Sequence, residues 1–213
     1  MTDGVAGLEA IADLIAGCQA CALAKTRERT VPGEGPANAT VMCIGEAPGF
    51  HENRQGRPFV GQAGQLLNEL LGSIGLRRED VFIANVIKCR PPGNRDPQPD
   101  EMAACARYLD AQIETIGPKI IVTLGRYSMA KFFPGETIGR IHGVARKRGD
   151  LTLFAMYHPA AALHNPQLKP VLIQDMRKLR PILDGIAAAE KLESAQPKPA
   201  PLAANPLEQL SLF

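Results

Sequence analysis

Four apolar runs of strand length, separated by stretches with helical spacing, constrain this chain more than any other feature. The runs are "ATVMCIG", "EDVFIANVIKC", "KIIVTLG" and "TLFAMYHP". Between them "GQAGQLLNELLGSIG" reads as a helix from about Gln62, stopped by Gly72 or Gly75, and "PDEMAACARYLDAQIETIG" as a helix capped near Asp100. "RYSMAKFF" is a short helix, Leu8, Ile11, Leu14 and Ile15 mark another over residues 8–17, and "PVLIQDMRKLRPILDGIAAAEKL" closes the fold with a kink at Pro181. Alternation of this kind implies an α/β fold, a three-layer sandwich with a central, mostly parallel four-stranded sheet flanked by helices.

In such sheets ligands bind beyond the carboxyl ends of the strands. Three strand ends carry polar chemistry here: Gly45–Glu46 after the first run, Asn85 near the end of the second, His158 after the fourth. Glu46 stands second in "GEAPGFHENRQGRPFVGQAG", where an exposed strand terminus keeps a carboxylate ionised yet held; the plainer alternative is a carboxylate that caps the next turn. Gly45 and Gly49 let backbone approach a ligand closely. Phe59 lies in "GRPFVG", outside any helical or strand-core spacing, and suits either a stacking ring or a loop-covered core position.

The 213 residues fit one domain with a tail: residues 1–186 as the domain, an Ala/Pro-rich tether over 187–206, and an apolar C-terminal peptide over 207–213. The net charge of +2 does not announce a nucleic-acid binder, so any basic footprint is local. Candidates are the turn "ARKRGD", with its cluster at 145–148, and Arg90 with Arg95. No apolar run approaches the ~18 residues that span a bilayer, and the N-terminus lacks a signal-peptide pattern, so a cytoplasmic protein is expected.

Five cysteines in a reducing compartment favour metal binding or catalysis over disulfides. Cys43 sits within an apolar strand and reads as a small buried thiol. Cys18 and Cys21 form C-x2-C, with Cys89 and Cys105 further on. Four thiolates suit an iron–sulfur cluster or a tetrahedral zinc, and spacing alone does not choose.

Taken together, "GEAPG", "QGRPFVGQAG", "NVIKCRPPGNRDPQPDE" and "HPAAALHNP", with the N-terminal C-x2-C, resemble the motif series of the family 4, iron–sulfur uracil-DNA glycosylases from about Cys18 to Arg180. The resemblance implies a monofunctional enzyme, a monomer, that hydrolyses the N-glycosidic bond of uracil in DNA and leaves an abasic site. It implies that Glu46 positions the attacking water and that His158 donates a hydrogen bond to uracil O2. Backbone near Ala47 would contact the base, Phe59 would stack on it, and Asn85 would read its N3–H and O4. Glu52 would stand beside C5 and exclude thymine, although Phe50 and His51 replace acids usual in that loop. Leu163, with His164 beside it, would be the wedge that fills the duplex after base extrusion. Ala160 stands where the usual motif has serine. Cys18, Cys21, Cys89 and Cys105 would hold one structural 4Fe-4S cluster. His142, in "GRIHGV", is structural or DNA-facing. The terminal "QLSLF" resembles a peptide that docks on the replicative sliding clamp, through Gln209, Leu210, Leu212 and Phe213. Two other readings remain at this level: a catalytically weak uracil-DNA or clamp-binding adaptor, and a zinc-stabilised nucleotide-binding protein.

Overall fold

The computed structural model describes residues 2–195, with side chains from 4 to 192. The tether beyond 195 and the clamp peptide (Gln209, Leu210, Leu212, Phe213) lie outside the described residues. The compact unit that carries the sheet ends at Arg180.

The chain enters through α1 (Thr2–Ala16), longer at its N-terminal end than the apolar spacing marks, and then forms β1 (Val41–Gly45), α2 (Phe50–Gln55) and α3 (Gln62–Gly72). Next come β2 (Phe82–Asn85), α4 (Pro99–Ile116), β3 (Ile120–Leu124), α5 (Arg126–Phe132) and α6 (Ile138–Ile141). The hairpin of β4 (Val144–Arg148) and β5 (Leu151–Met156) follows, then α7 (Pro159–His164), α8 (Leu168–Arg177) and α9 (Leu179–Ala195). No described helix is long and apolar enough to cross a membrane.

The sheet has five strands in the order β2-β1-β3-β5-β4, not the expected four. β2, β1, β3 and β5 run parallel, and β4 is antiparallel to β5. The added strand is the segment "VARKR", expected as part of a basic turn. All five of its residues are exposed, so no apolar pattern betrays it. Backbone pairing to β5 holds it, and Gly149–Asp150 make the two-residue turn between Arg148 and Leu151. The four parallel strands are buried along almost their whole length, as expected of strands covered on both faces. Cys43 is fully buried, and burial pushes its thiol up to about 12, as a structural cysteine requires.

Two helix boundaries differ from expectation. The closing helix breaks at Lys178, between α8 and α9, and Pro181 then falls in the first turn of α9. A first turn has no intrahelical use for that N–H, so proline is tolerated there without a kink. Residues 50–55, expected as loop, form the short helix α2, ended by Gly56 in the left-handed region. α4 starts at Pro99, and the Glu101 carboxylate accepts the Gln98 N–H at 2.8 Å.

The chain leaves β1 for β2 on one side and returns to β3 on the other. The strand order therefore reverses beside β1, and a crevice opens at its carboxyl end. In register, Gly45 pairs with Asn85, so these two strand ends finish level with each other.

Candidate active site

One cleft at that end of the sheet is lined by Glu46, Ala47, Glu52, Phe59, Asn85 and His158, and it encloses about 1470 Å³ including its open mouth. Residues separated by more than a hundred positions in sequence are thereby gathered. The Val86 N–H donates to the Gly45 carbonyl at 3.0 Å and the Ile87 N–H to that of Glu46 at 3.2 Å, which locks the ends of β1 and β2 together.

Gly45 packs tightly against two side chains of the cleft. A Cβ there would stand 2.6 and 2.7 Å from two ring carbons of Phe59, and closer still to Asn85 Oδ1. Only glycine lets the ring and the carboxamide converge on the strand end. Phe59 itself has φ +50°, a left-handed backbone that costs a non-glycine residue of order 1 kcal/mol or more. The surroundings hold it there. Arg78 donates to the Phe59 carbonyl at 2.9 Å and to the Pro58 carbonyl, and ion-pairs with Glu34 at 2.6 Å. Gly64 presses against the Phe59 backbone so closely that any Cβ would overlap it. Strain maintained by this much structure is a mark of functional sites.

Asn85 is 2% exposed, and its Oδ1 is, among the described residues, the buried side-chain polar atom with no partner in the chain. An unpartnered buried acceptor costs ~1–3 kcal/mol. Its backbone carbonyl, by contrast, accepts from Lys88 Nζ at 3.0 Å. That fully buried lysine also donates to Gln112 Oε1 at 2.7 Å, and Gln112 donates to the Pro32 carbonyl at 2.8 Å.

His158 caps α7: its Nδ1 accepts the Ala160 N–H at 3.1 Å. With Nδ1 an acceptor, the proton resides on Nε2, which makes that atom a donor. Burial pushes its pKa down to about 4, against a smaller opposing pull from the Glu52 carboxylate, so the ring is neutral at physiological pH. The ring stacks with that of Phe59, centroids 5.4 Å apart and planes 24° from parallel. The cap that Ala160 cannot supply through a side chain comes from the imidazole.

Glu46 is half-buried. Burial raises its pKa, repulsion from Asp96 adds to the rise, and Arg126 works against it. Asp96 and Arg126 form an ion pair at 2.5 Å, and both line the cleft. Neither stood out in the sequence, although Arg126 follows the third strand just as Glu46 follows the first. The rule that selected strand ends reaches it directly. Glu52 accepts the Val60 and Gly61 N–H groups at 2.9 and 3.0 Å, so its carboxylate both faces the cleft and holds the loop bearing Phe59.

Leu163 is 44% exposed on α7, and the adjacent His164 lines the cleft. The expected phosphate-holding cations are less free than their sequence suggests. Arg95 is engaged by both oxygens of the fully buried Glu101, at 2.6 and 2.9 Å, and Arg146 by Glu136 at 2.5 Å. His142 pairs through Nδ1 with the buried Asp175 at 2.7 Å, and its ring tilts over Tyr157.

Cys18, Cys21, Cys89 and Cys105 line a second cavity, of about 350 Å³ including its open side, between the N-terminal segment and α4. The Ala20 N–H donates to Cys18 Sγ at 3.5 Å, Arg27 to Cys89 Sγ at 3.5 Å, and the Lys88 N–H to Cys105 Sγ at 3.3 Å. Donors aimed at sulfur are the surroundings that thiolates need. Among the described residues, no group of three or more His, Cys, Asp or Glu side chains is placed around a single ion position.

The family model described as the uracil DNA glycosylase superfamily matches residues 32–180. The chain is 50% identical over 186 residues to the type-4 uracil-DNA glycosylase of Saccharolobus solfataricus, covering 83% of this chain and 86% of that protein. It is 46% identical over 181 residues to the type-4 enzyme of Archaeoglobus fulgidus, covering 81% and 91%. It is 40% identical over 182 residues to that of Thermotoga maritima, covering 81% and 93%. A shared fold would not by itself reach such identity over such lengths, and the chain belongs to the uracil-DNA glycosylase superfamily, among its type-4 members.

Proposed function

We infer that this protein is a monofunctional uracil-DNA glycosylase: it hydrolyses the N-glycosidic bond of uracil in DNA, leaves an abasic site and so starts base excision repair. The observation that carries the reading is the orphaned Asn85 Oδ1, buried at the wall of the cleft. An acceptor left without a partner fits a ligand that brings a donor. Uracil N3–H is such a donor, and the Asn85 amide N–H then meets uracil O4. Cytosine offers an acceptor at N3 and a donor at N4, so both groups would be mismatched, and a mismatched buried pair is rejected strongly.

The reaction follows from charge. As the bond between uracil N1 and C1′ breaks, its electron pair stays with the ring and the sugar becomes cationic; water then bonds to C1′, and the proton it loses balances the charge of the departing uracil anion. Neutral His158, with Nε2–H free to donate, stabilises charge at uracil O2 without competing for the proton. Glu46, as a carboxylate, positions the water and favours the cationic sugar. Phe59 offers its ring to the face of the extruded base, and backbone around Ala47 approaches its edge. Glu52 stands by C5, where a methyl group would collide, and Leu163 fills the space the base leaves.

Four thiols around one cavity, with N–H and guanidinium donors directed at sulfur, fit an iron–sulfur cluster held by Cys18, Cys21, Cys89 and Cys105. A 4Fe-4S cluster there would supply no chemistry at C1′; it would tie the N-terminal segment to the chain that follows Asn85. The substrate is uracil-containing DNA, and docking of the C-terminal peptide on a sliding clamp remains a separate proposal.

The test is release of free uracil from a labelled oligonucleotide by the wild-type protein, Glu46→Ala and His158→Ala. Release by wild type, reduced by 10²-fold or more in each variant, is expected. Tight binding without release would replace the enzyme with an adaptor. Iron and sulfide analysis of protein prepared without oxygen should give four of each per chain (about 4, the content of one such cluster).

A further inference from the structure

Phe50 is 45% exposed, so burial gives its ring little. Two guanidinium groups lie over that ring, Arg54 at 5.7 Å and Arg90 at 5.3 Å from its centroid, and His51 meets it edge-on at 5.5 Å. The group borders the cleft: Gly49, next to Phe50 in the chain, lines it, and Arg90 donates through Nε at 2.7 Å to Oδ1 of Asn94, which also lines it. A flat apolar ring framed by planar cations, beside a cleft of this kind, has the chemistry that takes a nucleobase face and its phosphate together.

We propose that Phe50, once Arg54 and Arg90 leave its ring for the phosphates of the strand, is a stacking platform for an unpaired base adjacent to the uracil in single-stranded DNA. This rests on the glycosylase reading for the position of the uracil, but not for the stacking itself. The platform would add affinity for a single strand independently of its sequence, because every base has a π face. In a duplex the neighbouring base is already stacked and paired, and the platform gains less. Arg54 and Arg90 then serve the backbone on either side of the stacked base.

The test uses the full chain and the variants Phe50→Ala and Phe50→Trp. Substrates are a single-stranded uracil oligonucleotide and its counterpart with abasic analogues flanking the uracil. With the normal strand, Phe50→Ala should raise KM about fivefold with kcat unchanged, and Phe50→Trp should restore the wild-type value. With abasic flanks, wild type and Phe50→Ala should match. Equal losses on both substrates, or no loss on either, would overturn the proposal. Binding to an oligonucleotide without uracil, followed by anisotropy, should show the same fivefold loss in Phe50→Ala. That arm stands whether or not free uracil is ever released, so the two readings fail separately.

Discussion

Replacing Asn85 by leucine should make the protein more stable and destroy its use. The side chain is 2% exposed, and its Oδ1 has no partner in the chain. Folding therefore strips water from this acceptor without return, at a cost of ~1–3 kcal/mol. Leucine keeps the branch at Cγ and removes the polar atoms. Against that gain stands crowding: Oδ1 already abuts Gly45, and methyl groups are bulkier than the amide atoms they replace. Overpacking of this size costs ~1 kcal/mol. The net expectation is a gain of ~1 kcal/mol, which in a chain of this length raises the thermal midpoint by ~2–4 °C. Calorimetry of wild type and Asn85→Leu reads it directly, and a uracil-release assay run beside it should show a loss of ~10²-fold or more. A midpoint lowered by several degrees would refute the orphaned-acceptor account. Retained uracil release would refute the role of Asn85 in reading the base.

Gly45→Ala should be harmful out of proportion to one methyl group, because its Cβ would enter the space of both Phe59 and Asn85; we expect a cost of ~1–3 kcal/mol in urea unfolding and a larger loss in uracil release. The pH dependence should belong to Glu46. Its pKa is raised by burial and by Asp96, so activity that needs the carboxylate falls as pH drops through a value above the usual range, while His158, pushed down to about 4, takes up a proton only at lower pH. Asp96→Asn removes the repulsion and leaves Arg126 to act alone, so the acid limb of the kcat/KM profile should move to lower pH; a limb that moves upward or not at all assigns it to another group.

Much of this site was legible in the sequence because its residues sit at strand ends, where an apolar run meets a polar residue. Glu46 directly follows β1, Asn85 is the last residue of β2, and His158 lies two residues past β5. Asp96, Lys88 and Arg78 were not legible. Their significance comes from partners far along the chain: Arg126 for Asp96, Gln112 for Lys88, and Glu34 with the Phe59 carbonyl for Arg78. The edge strand β4 was hidden for a different reason. It is held by backbone hydrogen bonds and exposes every side chain, so nothing in its residue pattern records burial.

The amino-acid order alone determines that this chain makes a buried parallel sheet with helices around it, because period and hydrophobicity are local properties. It also sets out which chemical groups are on offer. Whether those groups act as one depends on register and close approach, which are properties of pairs. Gly45 level with Asn85, and a phenylalanine held in a left-handed backbone by Arg78, arise only when distant segments touch.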